Sequence, residues 1–78
     1  MVTTEQVQSY IEKGLQCSEV RVLGDGQHFE ALIVSETFRG KSRVQRHQLV
    51  YAALGERMRE EIHALSMRTL TPEEAASG

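Results

Sequence analysis

Three histidines, one cysteine and a run of four cations are the side chains of this 78-residue chain whose types suit chemistry. His28 and His63 each stand just ahead of a segment patterned as a strand, on a turn or helix end where an imidazole can face outward. Neutral imidazole is the commonest protein metal ligand, and it suits iron when thiolates are supplied alongside. Two imidazoles alone cannot close a tetrahedral site, and Cys17 is the only thiol, so any metal centre here has to be shared with another molecule. The competing reading is structural. His28 is then a polar residue of a glycine-rich turn, and His63 a cation favoured by the dipole near a helix C-terminus. His47, beside Arg46 in a second helix, has neither a nucleophile nor a carboxylate near it in sequence and reads as a solvated helix position. Cys17, where the first helix passes into a strand, reads as a small buried hydrophobe, because no base or cation sits beside it.

Arg39, Lys41, Arg43 and Arg46 follow one another without an intervening acid and end on a helix start. Backbone N–H groups and the helix dipole favour anions there, so phosphate, a peptide carboxylate or an acidic partner would suit the segment. A solvated charged loop is the plainer alternative. Glu56, Glu60, Glu61, Glu73 and Glu74 make the C-terminal half acidic, and the net charge is −2. That balance is not the basic footprint of a nucleic-acid-binding domain. Nor is there a Gly-x-x-Gly clamp: Gly40 and Gly55 are isolated, and Gly24 and Gly26 are separated by one residue in a turn. Ser-His-Asp, Gly-x-Ser-x-Gly, phosphate-loop and dinucleotide patterns are all missing. With so short a chain a substrate pocket is hard to build, and an independent enzyme is not expected.

These residues need elements to position them. Thr3 followed by Gln6 has the capping-box form, and Val7, Tyr10, Ile11 and Leu15 recur at helical spacing, which predicts a helix from about Thr4 to Leu15. Gly14 weakens its last turn. Val20 and Val22 alternate with Arg21 and predict a strand from Glu19 to Leu23. Gly24-Asp25-Gly26 is the strongest turn signal, and HFEALIVS, His28 to Ser35, returns as a second strand of an antiparallel hairpin. Ser42 with Gln45 repeats the capping-box form, and Gly55 interrupts the helical pattern, giving two helices of about Ser42 to Ala53 and Glu56 to Glu61. Alternation from Ala64 to Thr71 predicts a third strand. The remainder, 73–78, is polar and predicts a flexible tail. The fold class is α+β in the order α-β-β-α-α-β, with a three-stranded mixed sheet packed against helices. A right-handed helical crossover makes the third strand parallel to the second. Parallel strands begin at the same end of a sheet, so this topology predicts that His28 and His63 share one edge of the domain.

Length allows one domain over 1–78 and a small core. A single cysteine excludes an internal disulfide and suits a reducing compartment. No long apolar run and no basic-then-apolar leader pattern occur, so a soluble cytoplasmic protein is expected.

Four pieces cover most of the chain in one order: GDGQHF (Gly24 to Phe29), F-x-G-x-x-R (Phe38 to Arg43), RHQLVYAAL (Arg46 to Leu54) and IHALSMRTLTPEE (Ile62 to Glu74). As a set they resemble the BolA-like family, in particular its short IbaG-type branch. The resemblance implies a fold similar to class II KH domains, in agreement with the element order. It also implies a heterodimer with a monothiol glutaredoxin around a shared 2Fe-2S cluster, serving iron-sulfur trafficking or iron, redox and acid-stress regulation. In that family the glutaredoxin gives a cysteine and glutathione a second thiolate. The BolA-like chain gives a histidine just before its last strand and a second ligand from the loop between its first two strands. These positions fall on His63 and His28. Cys17 lies outside that loop and is not carried over. Two imidazoles in place of two anionic thiolates leave such a cluster less negative and easier to reduce or hand on, as in Rieske centres. Imidazole protonation competes with iron, so a cluster held this way is expected to be labile in mild acid.

Some family members are linked to transcription, which implies a rival reading: a DNA-binding regulator that sets the helix start Lys41 to Arg46 against phosphates. The acidic balance counts against it. A third reading is a metal-independent stress adaptor with both histidines as spectators. Family members commonly carry a tryptophan after the Thr-Pro-acidic pair and a longer basic tail. This chain has Ala75 there and runs to Gly78, so contacts of such a tail are not carried over. The isolated chain is expected to hold no cofactor and to be a monomer or a weak homodimer.

Overall fold

Two reciprocal caps set where the helices begin. The Thr3 hydroxyl accepts from the Gln6 N–H at 3.1 Å, while the Gln6 side chain accepts from the Thr3 N–H at 2.9 Å. Two otherwise orphaned donors are thereby satisfied, and helix α1 (Thr4–Gly14) starts at that point. Ser42 and Gln45 make the same pair of bonds, 3.2 and 2.9 Å, ahead of α2 (Arg43–Leu54). Gly55 ends α2 with φ of 60°, a left-handed conformation that a residue with a side chain adopts at a cost, and so divides α2 from α3 (Arg57–Glu60).

The computed structural model describes residues 2–77. Strands β1 (Glu19–Gly24) and β2 (His28–Val34) form the antiparallel hairpin, in register from Glu19 opposite Val34 to Gly24 opposite Phe29. Strand β3 (Ala64–Leu70) lies parallel to β2, with His28 opposite Ala64 and Val34 opposite Leu70. The sheet order is β1-β2-β3, so β2 is central and β3 is an edge. The expected three-stranded mixed sheet and helical crossover are both present. Element ends differ from the sequence reading by a residue or so, as terminal turns and pairs generally do. Among the described residues no helix is long and apolar enough to cross a membrane.

One face of the sheet meets the helices. Val20, Val22, Phe29, Ala31 and Ile33 pack there with Val7 and Ile11 of α1, Val50 and Leu54 of α2, and Phe38 and Ile62 from the connections. The alternation of β2 puts His28 and Glu30 on the other face, in solvent. Gly14 has a tertiary role that its helix position alone does not reveal. A Cβ there would stand 2.8 Å from the Cβ and carbonyl oxygen of Ala53, so α1 and α2 touch backbone to side chain. Gly14→Ala is therefore expected to destabilise the domain by about 1–3 kcal/mol through overpacking, although alanine is the better helix former. Urea unfolding checks this; a gain in stability would refute it.

The C-terminal segment departs from expectation. Its polarity predicts a flexible tail over 73–78, yet the chain forms helix α4 (Pro72–Ser77); Gly78 lies outside the described residues. The cause is local. Thr71-Pro72-Glu73-Glu74 makes a third reciprocal cap, with the Glu74 N–H donating to the Thr71 hydroxyl at 3.1 Å and the Thr71 N–H donating to Glu74 at 2.9 Å. Pro72 occupies the first helical position, where its missing N–H costs nothing.

Candidate functional site

The Asp25 turn sets the position of His28. Asp25 Oδ1 accepts from the backbone N–H groups of Gln27 and His28, each at 2.9 Å, and the Asp25 N–H donates to the His28 carbonyl at 3.3 Å. Those backbone donors, His28 first, hold the Asp25 carboxyl below its ordinary range. The turn is thus braced by a carboxylate that stays ionised, and it delivers His28, exposed, as the first residue of β2.

His63 is placed by its neighbours. Glu61 and Ile62 donate to the Arg57 carbonyl at 2.9 and 3.1 Å, closing α3, and Ile62 is buried in the core. With Ile62 turned inward and Ala64 opening β3, His63 stands exposed on the intervening bend. Tyr10 donates to Glu61 at 3.1 Å, and the Arg57 guanidinium lies 4.2 Å from the Tyr10 ring centroid, fastening this bend to α1. A shallow cavity of about 400 Å³ lies beside it, lined by Val2, Gln6, Glu60, Glu61 and His63.

The parallel register sets the two histidines at the same end of the sheet. His28 pairs with Ala64, so His63 lies one residue back on the adjoining chain, across a strand spacing of about 4.8 Å. Neither imidazole enters a hydrogen bond or ion pair among the described residues. No group of three or more histidine, cysteine or acidic side chains there is placed to hold a metal ion by itself. Two exposed imidazoles at one end of the sheet fit a metal group only if a partner supplies the remaining ligands.

The four cations of the basic segment divide into two kinds. Arg39 is paired with Glu36 and, at 3.2 Å, with Glu73, and both carboxylates push its guanidinium further toward the charged form. Arg46 is largely buried, its side chain 13% exposed. It donates to the Lys41 and Thr69 carbonyls at 3.0 Å and to Glu74 at 2.7 Å, and its guanidinium lies 5.9 Å from the Phe38 ring centroid. Arg46 therefore clamps α2, β3 and α4 together. Lys41 and Arg43 are exposed and make no ion pair among the described residues. The cap at Ser42 also engages the Gln45 N–H, leaving fewer donors for an anion at the start of α2.

His47 differs from its sequence reading: it is half-buried and, with Lys41, Arg43, Met67 and Arg68, lines a groove of about 690 Å³ between α2 and β3. Cys17 is half-buried, donates to the Leu15 carbonyl at 3.2 Å, and has its thiol pushed up by burial and then by Glu12. That is the unreactive direction. Asp25, Arg68 and Glu74 contribute to these sites beyond the residues singled out from sequence. For Asp25 the signal was an Asx turn ahead of a strand, and for Glu74 the T-P-E-E cap.

The Arg46 hydrogen bond, followed by the Thr71 N–H, holds the Glu74 carboxyl down to about 2. A depressed carboxyl contributes stability that is present above its ordinary range and lost as pH falls through the folded value. The docking of α4 should accordingly persist through mild acid and fail only between about pH 4.5 and about pH 2. In Glu74→Gln the Ala75 amide, which donates to the Thr71 carbonyl, is expected to exchange several-fold faster at neutral pH. Unchanged exchange would show that the ion pair does not hold α4.

The family model described as BolA-like protein matches residues 7–74. Acid stress protein IbaG of Escherichia coli K12 is 43% identical over 72 residues, covering 91% of this chain and 86% of that one. A solved bolA protein homologue from Coxiella burnetii is 51% identical with a TM-score of 0.86, covering 97% and 99% of the two chains. The DNA-binding transcriptional regulator BolA of Haemophilus influenzae is 45% identical over 51 residues, 65% of this chain and half of that one.

Proposed function

The chain belongs to the BolA-like family, and from that premise we propose that it is an adaptor that binds a monothiol glutaredoxin and co-ligates a shared 2Fe-2S cluster, with glutathione supplying a further thiolate. Its service would be iron-sulfur trafficking or iron, redox and acid-stress regulation. The observation that carries this reading is the register that sets His28 beside His63 at one exposed end of the sheet. In this role His63 supplies one imidazole from a bend anchored by Ile62, and His28 the other from a turn braced by Asp25. The cluster, when bound, supplies electron storage and transfer; the chain's part is to hold two neutral ligands at fixed separation on an open surface. A partner chain is required because, among the described residues, no third such ligand stands beside these two.

The test is visible circular dichroism while this protein is titrated into a cluster-loaded monothiol glutaredoxin with glutathione. A new spectrum that saturates at one-to-one supports the reading. An unchanged spectrum removes the iron-sulfur role.

A second reading is favoured by exposed Lys41 and Arg43 and by the name of the Haemophilus relative, namely phosphate contact by a DNA-binding regulator. It would appear as a DNA affinity that falls steeply with salt and is reduced by Arg43→Ala. Arg46 is unsuitable for that test, since it is committed to Glu74 and Thr69.

A further inference from the structure

Along β3, as far as the point where Arg46 caps the Thr69 carbonyl, the sheet edge is open. No strand lies beyond β3 among the described residues. The Ser35 N–H donates to the Leu70 carbonyl at 2.9 Å, so Leu70 turns its polar groups toward β2. The Thr69 carbonyl accepts instead from Arg46, on the other side. Strand alternation then points the N–H and C=O groups of Leu65 and Met67 away from β2 as well. Edges of this kind are usually blunted by proline, a bulge or a covering element. The sequence ALSMRTL has no proline, and its pairing with β2 runs without a bulge.

The surface beside this edge is basic. The groove between α2 and β3 has a volume of about 690 Å³, within the range of small ligand sites. Lys41, Arg43 and His47 line it from the α2 side and Arg68 from the strand; Glu74 is the sole acid among its lining residues. That carboxylate is already seated on Arg46 and the Thr71 N–H. The chain therefore places one of its own carboxylates at the end of the groove and leaves cations along the rest.

We infer that this groove and the β3 edge are a docking site for an extended acidic segment of a partner protein, which adds to the sheet as a fourth strand beside β3. Main-chain hydrogen bonds to Leu65 and Met67 give the pairing, and carboxylates opposite Lys41, Arg43 and Arg68 give the preference. Charge alone would also suit a nucleic-acid backbone. Phosphates, however, leave the alternating donors and acceptors of a strand edge unmatched, whereas a peptide backbone satisfies both.

The probe is a blocked peptide of about nine residues alternating glutamate and valine, long enough to span an average strand. Its control carries proline in place of each valine, with the same charge but without the strand-forming N–H groups. With 15N-labelled protein, the glutamate-valine peptide is expected to slow amide exchange at Leu65 and Met67 while leaving Ser66 and Arg68 unchanged. It should bind at least roughly tenfold more tightly than the proline control, a difference of about 1.4 kcal/mol. The exposed double substitution Arg43→Glu with Arg68→Glu should cost a similar factor without changing the far-ultraviolet spectrum. Equal affinity for the two peptides, or binding without protection of the edge amides, overturns the proposal. So does protection of the same amides by a thymidine oligonucleotide and not by the peptide.

Discussion

His63→Ala is expected to abolish the visible circular dichroism of the mixed complex with glutaredoxin and to leave the fold intact. The side chain is exposed and makes no hydrogen bond or ion pair among the described residues. Surface substitutions of that kind usually fall within about 0.5 kcal/mol of neutral. Loss of the spectrum with unchanged thermal unfolding would thus report ligation and not folding. His28→Ala is expected to shift the spectrum and weaken it, since His63 remains. His63→Cys tests the same role from the other direction: a thiolate at that position should restore a cluster with an altered spectrum, because it still supplies a ligand. If His63→Ala retained the full spectrum, His63 would be a spectator and the proposal would fail. The prediction depends on the juxtaposition of the two residues. Because β2 and β3 are parallel and in register at His28 and Ala64, the two histidines stand at the same end of the sheet, where a bridging partner would have to reach both.

The second large effect is on stability. Phe38 has no exposed surface, and it ends a short turn (Glu36–Phe38) that carries the chain from β2 toward α2. Removing a buried phenylalanine ring costs about 3–5 kcal/mol. A domain of this length has about 4–12 kcal/mol in total at the usual stability per residue. Phe38→Ala should therefore remove about a quarter or more of that stability, read as a large fall in the urea midpoint. Phe38→Leu, which keeps most of the volume, should recover most of the stability. The ring also lies under the Arg46 guanidinium, which holds β3 and α4, so α4 amides should lose protection before those of the hairpin. A change below about 1 kcal/mol in Phe38→Ala would mean the site collapses around the gap, contrary to this account.

Much of the fold was legible because its signals are short. Thr3 with Gln6 and Ser42 with Gln45 are reciprocal bonds three residues apart, and the structure contains both. Gly55 ends α2 through its own backbone angle, and the Gly24-Asp25-Gly26 turn fixes the hairpin through groups within four residues. Thr71 with Glu74 carries the same capping form at the same spacing, so α4 is equally readable from its cap, which outweighs the polarity of the segment. The pairing of His28 with the neighbourhood of His63 also came from sequence, by way of topology. A crossover built from helices makes the flanking strands parallel, and parallel strands start together.

Other features depended on atoms brought together from distant positions. Four cations in eight residues looked like one anion-binding run, but Arg39 and Arg46 reach Glu73 and Glu74, 34 and 28 residues away, leaving Lys41 and Arg43 exposed. Gly14 reads in sequence as a weak helix residue, whereas in the fold Ala53 lies against it. Arg68 and the free edge of β3 acquire meaning only once α2 lies beside them and, among the described residues, no fourth strand does. The sequence by itself determined what hydrogen bonds within a turn or a cap determine: the order of elements, their ends, and through the crossover the shared edge of two histidines. Which cations are free, which glycine is required and where the sheet stays open were decided by packing, because a side chain's partner across the fold is set by distance in space and leaves no fixed spacing along the chain.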